Sequence, residues 1–102
     1  MIEMKKKLVI GSFTRKGQQG SFGHYFSYKD GEHEVCLEAC LNGYDVAIYD
    51  NKQNLIGDKE CTNTEGMEFQ IMPGYSIATG QALQDAVEIA NKKYEKLLKE
   101  TN

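Results

Sequence analysis

The sequence predicts an α+β domain: an antiparallel β-meander of about six strands with one C-terminal α-helix packed on its apolar face. Three features carry this expectation. From Ala82 to Glu100, the residues Leu83, Val87, Ala90, Tyr94 and Leu97 recur at alternating steps of four and three, the period of one helical face. Asp30-Gly31 and Asn42-Gly43 are two-residue hairpin signals that tolerate positive φ. Around them apolar and polar residues alternate at period two, as in strands buried on one face.

Composition sets the scale. A chain of 102 residues with 40% hydrophobic content and one proline makes a single domain, 1–102, with one modest core. No apolar run reaches the ~18 residues of a membrane span. The start, Met1 to Ile10, is basic and then apolar, but its apolar part stops at Gly11, too short for a signal peptide. Three cysteines with no C-x-x-C pair encode neither a disulfide framework nor a zinc knuckle, so a cytoplasmic protein is expected. The net charge of −3 argues against a general nucleic-acid binder.

Taken in order, Lys7 to Phe13 reads as a first strand, followed by a polar, glycine-rich connection from Thr14 to Ser21. With Asp30-Gly31 as a turn, Tyr28 would face His33 and Phe26 would face Val35. With Asn42-Gly43 as the next, Leu41 would face Tyr44 and Ala39 would face Val46. Both registers gather Phe26, Tyr28, Val35, Leu37, Ala39, Leu41, Tyr44, Val46 and Ile48 on one face. Lys29, Glu32, Glu34, Glu38 and Asp45 fall on the other. A competing reading coils Glu32 to Leu41 into a helix ended by Gly43. Asp50 to Asn54 is a turn, Leu55 to Cys61 a fifth strand of undetermined register, and Met67 to Ile71 a sixth. Thr79 is a candidate N-cap for the helix. Glu88 with Lys92 and Glu95 with Lys99 are favourable i,i+4 pairs on its solvent side.

No catalytic signature stands out, so an enzyme is not expected. Cys36 and Cys40 lie four residues apart on one strand, roughly 13 Å, beyond disulfide reach. His24 and His33 share a face without a third ligand, and no metal or cofactor is expected. The segment from Gly11 to Tyr25 is the unusual one. Phe13, Thr14, Arg15, Lys16, Phe22 and His24 offer a guanidinium, an ammonium, hydroxyl groups and aromatic rings beside flexible glycines, the parts that grip a phosphate and stack on a base. Tyr75, Ser76, Thr79 and Gly80 lie at the expected helix start, whose backbone amides suit an anion. Neither stretch matches a known nucleotide fingerprint. The plainer reading is a hairpin connection and a capped helix.

Ala82, Ala86, Ile89 and Leu98 widen the helical stripe beyond the ~100° that one core needs. Ala82, Leu83, Ala86, Val87 and Ile89 are therefore candidates for a self-association seam. The leading expectation is a non-enzymatic binding protein, a homo-oligomer that sequesters or senses a small anionic, nucleotide-like ligand. The alternative is an inhibitor or accessory module docking the acidic sheet face on a basic partner.

Overall fold

A computed structural model describes residues 7–17, 24–40, 43–63 and 77–100. It shows an α+β layout of five antiparallel strands and one C-terminal helix. The strands are β1 (Thr14–Gly17), β2 (His24–Lys29), β3 (His33–Cys40), β4 (Gly43–Asp50) and β5 (Leu55–Cys61); the helix is α1 (Ile77–Glu100). Sheet order follows chain order and neighbouring strands run antiparallel, the arrangement of a meander. The expected sixth strand, 67–71, lies outside the described residues.

The alternation in β3 produces the core directly. Val35, Leu37 and Ala39 are buried, and the residues between them are only half-buried. Residues 33–40 are thus a strand, and the competing helix is set aside. Both flanking hairpins turn one residue away from the expected place. Observed pairs are Tyr28↔Val35 and Phe26↔Leu37 in one, Ala39↔Tyr44 and Leu37↔Val46 in the other. In each case the partner moves by two residues, an even step, so the paired side chains keep their expected faces; Leu41 lies outside the described residues. The first shift has a local cause. The Asp30 Oδ1 accepts from the amides of Glu32 (2.8 Å) and His33 (2.7 Å), which places Gly31 (φ +98°) and Glu32 at the tip.

The N-terminal strand is the clearest correction. Lys7–Phe13 is not extended; Ile10–Ser12 forms a 3₁₀ turn and the strand comes later, at Thr14–Gly17. The turn is locally satisfied, because the Ser12 amide donates to Val9 O (2.8 Å) and the Val9 amide to Ser12 Oγ (3.0 Å). Leu8 and Phe13 are buried while Val9 and Ile10 face outward, a spacing no strand would give. The edge strand β1 needs no apolar alternation, since it pairs on one side only.

The fifth strand explains why its register was illegible. Between Val46 and Ile48 the pairing advances two residues along β4 but four along β5, from Glu60 to Ile56. The bulge is built around Gly57 at φ +74°.

The helix lies on the face carrying Phe26, Tyr28, Val35, Leu37, Tyr44, Val46 and Ile48. Ala82, Ala86 and Ala90, four residues apart, are all 0% exposed. Their small side chains let the helix backbone approach the sheet, and Leu83, Val87 and Tyr94 fill the space around them. The expected seam residues Ala82, Leu83, Ala86 and Val87 are therefore covered by the chain's own core, with Ile89 partly buried against it. The breadth of the apolar stripe is accounted for within one chain. Helix formation begins at Ile77, so Thr79 sits inside the first turn rather than at the N-cap. Among the described residues, no helix is long and apolar enough to cross a membrane.

Asn91 and Tyr94 are polar anchors of the helix. Asn91 reads the backbone of Leu8 as a strand would: its Oδ1 accepts from Leu8 N (2.7 Å) and its Nδ2 donates to Leu8 O (2.7 Å). Tyr94 stacks edge-on against Tyr28 (5.9 Å) and its hydroxyl donates to Asp30 Oδ2 (2.5 Å). Burial raises the Asp30 pKa, but bonds from Tyr94, the Glu32 amide and His33 outweigh it and hold the carboxyl down at about 2.

Candidate functional site: the open face of the sheet

With α1 on one face, among the described residues no element covers the other. Cross-strand partners share a face, so the registers assign this surface directly. Thr14 and Lys16 come from β1; Tyr25, Ser27 and Lys29 from β2; Glu34, Cys36 and Glu38 from β3; Asp45, Ala47 and Tyr49 from β4; Leu55 and Cys61 from β5. Glu34, Glu38 and Asp45 form the acidic centre expected from the sequence, while Glu32 has moved to the turn. Lys16 and Lys29 stand along the β1–β2 side.

A shallow depression of about 360 Å³ lies on this surface. Tyr25 and Tyr49 line it with Lys16, Lys29, Glu34, Glu38, Cys36 and Gln53. Ser27, buried on the same face, donates from Oγ to Glu34 Oε2 at 2.6 Å and so fixes that carboxylate. Cys36 is the half-buried thiol of the group. Burial first, then the charges of Glu34 and Glu38, push its pKa up to about 12. It is a protonated thiol at neutral pH, a poor nucleophile.

Most of the anion-binding residues expected from the sequence do not gather. Phe13 is buried against Tyr28, with ring centroids 6.2 Å apart. Arg15 pairs with Phe26 and so belongs to the helix face, whereas Lys16 pairs with Tyr25 and belongs to the open face. Adjacent residues of a strand point oppositely, which is why the guanidinium and the ammonium part company. Thr14 lies on the open face opposite Ser27, and His24 pairs with Gly17 along the backbone. Thr79 and Gly80 are in the first turn of α1. Phe22, Tyr75 and Ser76 lie outside the described residues. Among the described residues of that set, Lys16 lines the depression, and there Glu34 and Glu38 oppose a small anion.

One grouping escaped the sequence reading. At the end of the open face, Cys40 Sγ and Cys61 Sγ are 3.8 Å apart, and a carboxylate oxygen of Asp45 completes a cluster spanning no more than 4.8 Å. All three side chains are half-buried, and the Asn63 amide donates to Cys61 Sγ at 3.3 Å. Only the β4–β5 register, Asp45↔Cys61, brings Cys61 here, and the bulge in β5 hides that register from any pattern count.

No protein-family model, curated protein or solved structure matches this chain, so its surface chemistry has to carry the functional reading.

Proposed function

We propose that the protein is a non-enzymatic docking module whose open sheet face binds a basic surface of a protein partner. The observation that carries this reading is the arrangement of Glu34, Glu38 and Asp45 on one face that no described element covers, flanked by the half-buried rings of Tyr25 and Tyr49. Tyrosines of this kind supply contact area at small entropic cost, and fixed carboxylates set orientation and on-rate. Ser27 keeps Glu34 in place before any partner arrives, which lowers the ordering cost of binding. Lys16 and Lys29 at the β1–β2 side make the face directional, so a partner with a basic strip beside an acidic residue fits better than a uniformly basic one.

The test uses a defined probe. Isotope-labelled protein titrated with an arginine-rich peptide should show amide shifts at Tyr25, Glu34, Glu38 and Tyr49, weakening as salt rises from about 50 to 300 mM, because screening shortens the reach of the charges. Glu34→Lys with Glu38→Lys should abolish the shifts while far-UV circular dichroism stays unchanged. Shifts confined to the helix face, or indifferent to the double reversal, would refute the docking reading.

A further inference from the structure

We infer that Cys40, Cys61 and Asp45 form a binding site for a zinc ion, with one coordination position left to solvent. The sulfur atoms of Cys40 and Cys61 lie 3.8 Å apart. Two thiolates on a tetrahedral Zn²⁺, each at ~2.3 Å, stand ~3.8 Å apart, so the sulfurs already occupy one edge of the tetrahedron. The Asp45 carboxylate, within 4.8 Å of both, is placed for a third corner.

A disulfide is the rival use for two adjacent thiols, and the topology disfavours it. Cys40 belongs to β3 and Cys61 to β5, with β4 between them. Two strand spacings separate the backbones by roughly 9.5 Å, whereas a disulfide needs Cα atoms within about 7 Å. A metal bridging two sulfurs spans that gap, and a bond between them does not. The β4 residue opposite Cys40 is Gly43, which brings no side chain to the space between the two cysteines on this face.

The surroundings suit the same use. The Asn63 amide at Cys61 Sγ (3.3 Å) orients the sulfur, as bonds from outside the coordination sphere do for metal ligands. Thr62 locks the adjoining backbone by a reciprocal pair: its Oγ1 accepts from Tyr44 N (3.1 Å), and its amide donates to Tyr44 O (3.0 Å). Two sulfurs and one carboxylate select zinc over magnesium or calcium, which prefer all-oxygen sites. Binding converts both thiols to thiolates and releases their two protons to solvent, so affinity rises with pH. Asp45 belongs both to this cluster and to the acidic face, but Cys40 and Cys61 supply the sulfur ligands whether or not that face meets a partner.

Full-length protein, reduced and freed of metal by chelation, is titrated with Co²⁺ alone. The expected result is one Co²⁺ per chain, with a thiolate-to-cobalt charge-transfer band and the visible absorption of tetrahedral cobalt, both removed by one equivalent of Zn²⁺. Cys40→Ser and Cys61→Ser should each lose the charge-transfer intensity, and Asp45→Asn should weaken binding by at least ~10-fold. Cys36→Ser should bind as the wild type does. Absence of the charge-transfer band in the wild-type protein overturns the assignment, independently of how any variant folds. Its persistence in Cys40→Ser, or its loss in Cys36→Ser, overturns it as well.

Discussion

Replacing Tyr94 by phenylalanine isolates one hydrogen bond in the joint between α1 and the β2–β3 turn. The ring keeps its burial and its edge-on contact with Tyr28 (5.9 Å), and only the hydroxyl that donates to Asp30 is lost. Asp30 has its pKa lowered from 3.8 to about 2, which at ~1.4 kcal/mol per unit is on the order of 2 kcal/mol shared among its partners. Discounting for the partial exposure of the carboxylate leaves about 1–2 kcal/mol for the network, of which the Tyr94 bond is the largest favourable part. A loss of about 1 kcal/mol lowers the melting temperature of a domain this size by about 4–8 °C. The pH dependence has a definite sign. A carboxylate whose pKa is depressed by folding stabilises the fold fully above pH 3.8, and the contribution fades as pH falls toward 2. Urea melts of wild type and Tyr94→Phe should therefore differ by about 1 kcal/mol at pH 6 and converge between pH 4 and 2. Equal stability at pH 6, or a gap that persists to pH 2, would sink the account of this joint.

The remaining predictions concern other joints of the structure. Asn91→Ala removes the paired bonds to the Leu8 backbone and should destabilise by about 2–3 kcal/mol, with hydrogen exchange at the Leu8 amide accelerating more than exchange in β3. Gly57→Ala should cost about 1–2 kcal/mol in urea melts from its φ of +74° alone, because nothing lies within 4 Å of the added Cβ. Cys36, with its thiol pushed up to about 12, should react with iodoacetamide at pH 8 on the order of a thousandfold more slowly than free cysteine; mass-spectrometric mapping of a quenched time course decides this.

Faces were legible in the sequence and positions were not. Period-two alternation across residues 25–49 assigned Phe26, Val35, Leu37, Val46 and Ile48 to the core side and Glu34, Glu38 and Asp45 to the other. The structure keeps those assignments although both hairpins turn one residue away from the expected site. Alternation survives an even shift, so it constrains faces more tightly than pairs. The same reasoning failed at residues 7–13, where three consecutive apolar residues imitate a strand. There Ser12 satisfies the backbone locally, and of Leu8, Val9 and Ile10 only Leu8 turns inward.

The candidate site divides along the same line. The acidic face could be read from the sequence because its members come from neighbouring strands joined by short turns. Arg15 and Lys16 were separated by a register that only the position of β1 establishes. The sequence by itself determined a meander, a helix and two chemically distinct faces, since period and turn chemistry are local properties of the chain. Only the tertiary structure decided that the helix stripe is consumed by its own sheet and that Cys61 meets Cys40 beside Asp45. Those contacts depend on how Ala82, Ala86 and Ala90 let two layers approach, and on a bulge at Gly57 that resets one register.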